Sequence, residues 1–337
     1  MKKTAILIYG GEGNEHEISQ KSAENLYAAI DKNAFDVIPV LISKSGNWYI
    51  NEGFKNENPT PTFPVMLNSI SGILTDEGII EVDVAIPALH GDFGEDGIIQ
   101  GTLDAAHIPY VGCRVGASAI CCDKVFTKII AEHLGIPTAK YTVAESGESE
   151  GEVIDRAKSL LHYPMFVKPA RLGSSVGTSR AENEEELLSA LHTAREYCDR
   201  ILIEECVDVS YELECGFFES GKKTYISASG VILTNGSFYG YGEKYLNKNS
   251  PKTAHGTPLN ENLAMQAETA AKRLATVIGI TQISRIDFFV TKNNELLFNE
   301  INTFPGMTKT SLYPLLTEDM GFSNGDFINL LLAEAVR

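Results

Sequence analysis

Cysteine pairs at CxxC spacing are absent, and the six thiols that occur, Cys113, Cys121, Cys122, Cys198, Cys206 and Cys215, are too sparse for a disulfide scaffold. Zinc is therefore not expected, and the thiols read as buried groups in a reducing cytoplasm. Long apolar runs are also missing: the longest contenders, Asp83 to Leu89 and Asn329 to Val336, fall far short of a bilayer's thickness. The start Met1-Lys2-Lys3 ahead of Ala5-Ile6-Leu7-Ile8-Tyr9 imitates a secretion signal. Gly10-Gly11 and the acidic stretch from Glu12 to Glu17 end it early, so it reads as a first strand. No lysine or arginine cluster offsets the formal charge of -17, which argues against nucleic acid and anionic membrane surfaces as partners. A small anionic ligand is admissible only where local lysines and a divalent cation overcome that field. A soluble, cytoplasmic protein is expected.

What is present is a 43% hydrophobic composition over 337 residues, enough for two or three modules sharing at least one large core. Thr4 to Tyr9, Phe35 to Leu41 and Val82 to Pro87 read as strands and Glu17 to Ile30 as helix, a β/α alternation that predicts an α/β class with a small doubly wound parallel sheet. Ala117 to Leu134 reads as helix broken near Cys122-Asp123, and Lys140 to Ala144, Met165 to Lys168 and Ile201 to Glu205 as strands, with a helix over Val153 to Leu161. From about Tyr211 the pattern is strand-rich, with helices over Leu263 to Ile278 and Asp326 to Val336. Three units are expected, 1–120, 121–210 and 211–337, with no internal repeat.

The strongest chemical signal is Ser284 to Val290, then Thr291-Lys292-Asn293-Asn294, then Glu295 to Asn302: two strands about a turn. With Asn293 and Asn294, which tolerate positive φ, at the centre of a tight turn, Asp287 faces Glu300 and Arg285 faces Asn302. Alternation sends these four to one face and Ile286, Phe288 and Ile301 to the other. Two carboxylates directly opposite each other repel unless a cation lies between them. Mg²⁺ suits that place, because it is usually held by one or two carboxylates together with substrate phosphates. The competing reading is a solvated hairpin neutralised by Arg285. The continuation Thr303-Phe304-Pro305-Gly306-Met307-Thr308 speaks against it, since a stiff proline beside a permissive glycine would bring the Gly306 N–H next to Arg285, as an oxyanion requires.

Three glycine-rich segments add to this. Phe166 to Gly177 is a strand ending in Lys168, then a Gly/Ser loop whose N–H groups and hydroxyls suit a phosphate; the lysine precedes the glycines, so it is no Walker loop. An ordinary hairpin loop competes, and Lys124 taken alone is a surface helix lysine. Tyr9 to Ser19 is a glycine turn between strand and helix. It lacks GxGxxG spacing and carries glutamates that repel pyrophosphate, which excludes a dinucleotide fingerprint. Glu15 is assigned there to an ammonium group, against the simpler view that these acids only favour a helix N-terminus. In Leu89 to Gly97, at the carboxyl end of a strand, His90 lacks a second histidine at ligand spacing and reads as a hydrogen-bond donor, while Glu95 or Asp96 would cap the next helix.

Gly10-Gly11 with Glu15 to Ser19, His90-Gly91 with Gly94 to Gly97, Lys168 to Gly177, Glu243 to Leu246, Arg285 to Asp287, and Asn299 to Thr303 with Pro305 to Thr308 together resemble D-alanine–D-alanine ligases, end to end and in order. The resemblance implies an N-terminal α/β domain followed by a two-domain ATP-grasp unit of α+β character, with ATP between the central and C-terminal domains. By the same resemblance Lys124, Lys168 and Lys244 serve the nucleotide, Ser175 lies over the γ-phosphate, Glu204, Glu205 and Val207 line adenine, and Glu212 takes the ribose. Asp287, Glu300 and Asn302 would bind two Mg²⁺, with Mn²⁺ as a substitute. Glu15, Ser174 and Tyr245 would hold the first ammonium and lock a loop, and His90 would touch the first carboxylate. Arg285 and Gly306 would form the oxyanion hole, and Ser311 with Leu312 would anchor the second carboxylate. Cys206, where relatives carry an aromatic, and the unusual text from Leu246 to Leu259 depart from the pattern.

The chemistry implied is ATP- and Mg²⁺-dependent ligation of two D-alanines through an acyl phosphate, for peptidoglycan, by a homodimer. D-serine or D-lactate as second substrate is the nearest rival; depsipeptide formers should lack Glu243-Lys244-Tyr245, and D-serine users tend to carry arginine where Leu312 stands. A nucleotide sensor without turnover is the rival of another class, disfavoured by the metal set.

Overall fold

The apolar run of the first strand has both faces buried, as a central strand of a covered parallel sheet requires. The computed structural model describes residues 2–54, 59–67, 69–173, 175–233, 252–254, 260–308 and 311–336. The chain begins with β1 (Lys3–Gly10), α1 (His16–Ala29), β2 (Phe35–Ile42), β3 (Trp48–Ile50), β4 (Thr60–Pro61), β5 (Phe63–Leu67), β6 (Ile70–Thr75), β7 (Gly78–Glu81), β8 (Val84–Pro87) and α2 (Ile98–Ala105). β1 pairs in parallel with β2 and β8, giving the order β4-β3-β2-β1-β8, with α1 and α2 on opposite faces through Ala23 and Leu26 on one side and Ile99 and Leu103 on the other. The small antiparallel sheet β5-β6-β7 buries Ile73 in the same core as α2.

Next come α3 (Val115–Cys122) and α4 (Lys124–His133), broken where expected by Asp123, whose carboxylate accepts from the Val125 N–H at 3.0 Å. They lead to β9 (Tyr141–Ala144), α5 (Glu150–Leu160), β10 (Met165–Pro169), β11 (Ser179–Ala181), α6 (Glu184–Arg195) and β12 (Ile201–Glu205). The antiparallel sheet β11-β10-β12-β9 turns Met165, Val167, Ile201 and Ile203 towards α5 and α6. By alternation the other face carries Tyr141, Lys168, Leu202 and Glu204, and α4 covers it through Val125.

The last unit holds β13 (Val209–Ser220), β14 (Lys223–Leu233), β15 (Lys252–Ala254), α7 (Glu261–Ile278), β16 (Ile283–Thr291), β17 (Leu296–Asn302), α8 (Leu312–Asp319) and α9 (Asn324–Ala335). Its antiparallel order is β15-β14-β13-β16-β17. An alanine-rich stripe of α7 (Ala264, Ala267, Ala271, Ala275) packs on one face, and Gly279 at φ 78 ends the helix in the left-handed conformation. α8 crosses the opposite face at Gly216 and Gly230, where an added β-carbon would stand 3.0 Å from Leu316 Cβ and 2.8 Å from Leu312 Cδ2. α9 then returns to the first unit: the Asn329 side chain accepts from the Asp31 N–H at 2.9 Å, and Phe327 and Leu331 share a core with Ala5 and Leu7. Among the described residues no helix is long and apolar enough to cross a membrane.

Candidate functional site

The β16–β17 hairpin sets the centre of the site. Its loop is one residue longer than the two-residue turn expected: Asn294, at φ 59, donates its N–H to the Thr291 carbonyl at 2.9 Å, and the Thr291 N–H donates to the Glu295 carbonyl at 2.9 Å. That loop alone would slide the register by one residue and turn the acids apart. A bulge at Asn299 slides it back, so that Phe288 faces Phe298 while Asp287 faces Glu300 and Arg285 faces Asn302. Arg285 grips Asp287 with a two-pronged bond, Nε to Oδ1 at 2.8 Å and a terminal nitrogen to Oδ2 at 2.7 Å, and reaches Glu214 at 3.3 Å. Asn302 donates its amide N–H to Asp287 Oδ2 at 3.0 Å. Burial weakens the Arg285 charge, but Asp287 and Glu214 outweigh it and hold its pKa far above the ordinary arginine value.

Lysines from α4 and β10 meet this face from the central unit. Lys124 begins α4, its N–H donating to the Ala170 carbonyl at 2.9 Å, and its ammonium lies 2.7 Å from the Leu172 carbonyl and 3.3 Å from Glu300. Desolvation opposes its charge, and Glu300 overcomes that and raises its pKa. Lys168 is ion-paired with Glu204, whose other oxygen is 2.5 Å from Lys128. Burial alone would push the Glu204 carboxyl up; the two lysines reverse this and hold it down at about 2. The Glu204 side chain is thus turned into the lysines rather than open to a ligand. Beyond it Glu205, Cys206 and Val207 line a cleft of about 250 Å³ with Thr291, Lys292 and Leu297 across it. Glu212 shares the sheet face of Glu214, opposite Phe289. Ser175 sits at φ 59 in the loop after β10, its carbonyl accepting from the Thr178 N–H at 3.3 Å.

The first unit closes the other side. Glu15 lies against the Gly91 turn: a β-carbon there would come 2.4 Å from Glu15 Oε2, and one on Gly173 4.0 Å from it, so this carboxylate stands between the His90 loop and the Gly/Ser loop. His90 Nε2 is hydrogen-bonded to Ser22 Oγ at 2.9 Å, and its Nδ1 is 4.0 Å from Glu95. Burial pushes His90 down to about 4 against the pull of the Phe304 backbone, and it pushes Glu95 up to about 8 with help from the Glu15 charge. Glu95 does not cap a helix; it accepts from the Gly91 N–H at 3.2 Å, while Asp96 accepts from the Phe93 and Ile98 N–H groups. Asn25 donates to the Met307 carbonyl at 2.7 Å, tying α1 to the loop that carries Gly306. Any side chain at Gly306 would meet Ser311 Oγ, which itself accepts from the Thr308 N–H at 3.1 Å. Ser311 is the N-cap of α8. The Leu312 side chain is buried in the core at Gly230, so only its backbone N–H, in the first turn of α8, is available to an anion.

Asp287, Glu300 and Asn302 offer hard oxygens on one face, and among the described residues no three His, Cys, Asp or Glu side chains converge on a point. Two carboxylates and an amide fit Mg²⁺ better than a metal that needs an all-protein cage. Ser174, Lys244 and Tyr245 lie outside the described residues. Lys128, Glu214, Ser22 and the buried role of Glu95 were not foreseen. Glu214 was within reach of the alternation that placed Glu212, while the other three depend on packing between distant segments.

The profile described as D-ala D-ala ligase N-terminus matches residues 4–113, and that described as D-ala D-ala ligase C-terminus matches residues 130–333. A D-alanine–D-alanine ligase of Streptococcus thermophilus is 40% identical over 98% of this chain and 95% of its own, and one of Thermoanaerobacter is 36% identical over 99% and 97%. Among solved structures, the VanG D-Ala:D-Ser ligase of Enterococcus faecalis superposes with TM-score 0.90 at 31% identity, covering 99% of this chain and 100% of its own. The D-alanine–D-alanine ligase of Coxiella burnetii gives 0.87 at 28%, covering 99% and 94%.

Proposed function

Because this chain belongs to the D-alanine–D-alanine ligase family, we propose that the residues around the Asp287–Glu300 pair divide the joining of two D-alanines between a nucleotide side and an amino-acid side. The protein is an ATP-dependent ligase with three domains; unit borders near 120 and 210 are part of the proposal. Lys124 and Lys168 hold the ATP phosphates and Ser175 closes over the γ-phosphate, while the Glu205 to Val207 backbone lines the adenine and Glu212 the ribose. Asp287, Glu300 and Asn302 hold Mg²⁺, which supplies charge neutralisation to the phosphates when bound.

Glu15 takes the first D-alanine's ammonium and His90 lies by its carboxylate, which attacks the γ-phosphorus. An acyl C–O–P link forms as the bond to ADP breaks. The amine of the second D-alanine, its carboxylate at Ser311 and the first turn of α8, then attacks the acyl carbon. Arg285 and the Gly306 N–H stabilise the tetrahedral oxyanion until inorganic phosphate leaves and the amine gives up its proton. Ser174, Lys244 and Tyr245 are assigned to closure, which keeps water from the acyl phosphate. The product would supply peptidoglycan synthesis in the cytoplasm, and the working form is a homodimer.

The observation that carries this reading is the facing of Asp287 and Glu300, each matched to a cation from the polar surface that a nucleotide would meet. ADP release should require D-alanine and be lost in Arg285→Ala and Asp287→Ala. Retention by either variant, or equal turnover with D-serine or D-lactate as second substrate, overturns the assignment.

A further inference from the structure

We propose that Lys128 is a positioning residue for nucleotide binding: it keeps the Glu204 carboxylate compensated so that Lys168 is free to turn from Glu204 to phosphate. This rests on the reading of Lys168 as a phosphate group's partner. Lys128 follows Lys124 by one helical turn on α4, and both project towards the sheet β11-β10-β12-β9. The two lysines then part company. Lys124 reaches the cleft, whereas the Lys128 side chain is 1% exposed, 3.4 Å from the Ala139 carbonyl and 5.2 Å from the centroid of the Tyr141 ring.

Glu204 is held from two directions, Oε1 by Lys128 and Oε2 by Lys168. Of its two cations only Lys168 has a way out, being 14% exposed at the start of the Gly/Ser loop. A buried carboxylate with a single cation cannot release it without leaving an uncompensated charge in a medium that solvates charge poorly. With a second, enclosed cation it can. The trio carries two positive charges and one negative, so a phosphate oxygen that draws Lys168 away leaves the neutral Lys128–Glu204 pair behind. A purely structural ion pair would stabilise the fold but would not change how readily Lys168 moves.

Calorimetric titration of the intact enzyme with Mg-ADP separates the two. Lys128→Met should weaken binding about tenfold while kcat at saturating ATP changes less than about threefold, and Lys128→Arg should bind within about threefold of the parent. In the Glu204→Gln background, where nothing detains Lys168, adding Lys128→Met should cost less than about twofold. Unchanged affinity in folded Lys128→Met, or the same loss in both backgrounds, overturns the inference. If Lys128→Met is not recovered folded, Lys128→Gln takes its place in both backgrounds: a loss confined to the Glu204 parent supports the inference, and no loss, or the same loss in both, refutes it. A parent enzyme that does not bind Mg-ADP refutes the functional reading instead.

Discussion

The two sides of the site bury ionisable groups by opposite means. On the nucleotide side charge is retained by pairing: Lys124 with Glu300, Lys128 and Lys168 with Glu204, Arg285 with Asp287 and Glu214. For Glu204, Lys124 and Arg285 the partners outweigh desolvation, holding Glu204 down at about 2 and raising the other two, whereas for the enclosed Lys128 burial prevails over Glu204 and lowers its pKa. On the amino-acid side, beside the charged Glu15, burial instead favours the uncharged forms of a neighbouring pair: His90 is pushed down to about 4 and Glu95 up to about 8, 4.0 Å apart. The proposed substrates would account for the difference. A nucleotide with its metal rearranges strong charges and needs cations ready to change partners, whereas a zwitterionic amino acid is placed by few charges, and each stray one nearby would misplace it.

The comparison breaks most visibly if the paired acids are dispensable. Glu300→Gln keeps the shape but removes the charged partner of Lys124 and, on the proposed reading, a metal ligand, so ADP release should fall by about 10³ or more, read in a coupled assay across Mg²⁺ concentrations. Loss that saturating Mg²⁺ fully repairs would place Glu300 in affinity alone. Arg285→Lys keeps the charge but not the fork to Asp287, and should lower kcat by about 10² with little change in the KM for ATP. A rise in KM without loss of kcat would move Arg285 from the oxyanion to ground-state binding.

Suppressed charge leaves a different signature, in stability against pH. Glu95 titrates higher folded than unfolded, so its contribution is full below the ordinary glutamate value and is lost as pH rises through about 8. His90 titrates lower folded than unfolded, so its contribution is present above the ordinary histidine value and lost as pH falls through about 4. Melting temperature should therefore sag on both limbs. Glu95→Gln should flatten the alkaline one, worth up to about 5 kcal/mol, and His90→Gln the acidic one. Alkaline limbs that coincide in parent and Glu95→Gln would mean that Glu95 is charged in the folded protein.

How much of this could be read from the chain follows from the same contrast. Asp287 opposite Glu300 was legible because strand alternation fixes parity, and two one-residue errors, the longer loop and the Asn299 bulge, cancel. The β/α alternation around β1 was legible for a similar reason. The short strands of 48–81, two to six residues each and interrupted by Pro61 and Pro64, carry too little pattern to be seen. Lys128 on its helix and Glu95 after a glycine turn look like surface residues, because what buries them arrives from segments far off in sequence. Pairing within one hairpin is local, and the compensation of buried charge is not.

The smallest expected effect is at Ser22, where a hydroxyl on α1 meets His90 Nε2 at 2.9 Å. Ser22→Ala removes no charge from either side and leaves one imidazole nitrogen buried without that partner, a loss of about 1–2 kcal/mol in stability. If the amino-acid side works by holding a neutral imidazole in place, the KM for the first D-alanine should rise by about threefold to tenfold, because a ring free to tilt no longer meets the substrate carboxylate at one angle. Mg-ADP affinity should stay within about twofold, since the charge pairs around Glu204 and Glu300 are untouched. A loss of nucleotide affinity in Ser22→Ala would show the two sides coupled through the Phe304 loop, which touches His90 and leads from Asn302, and the division between paired and suppressed charge would then describe one cooperative network instead of two.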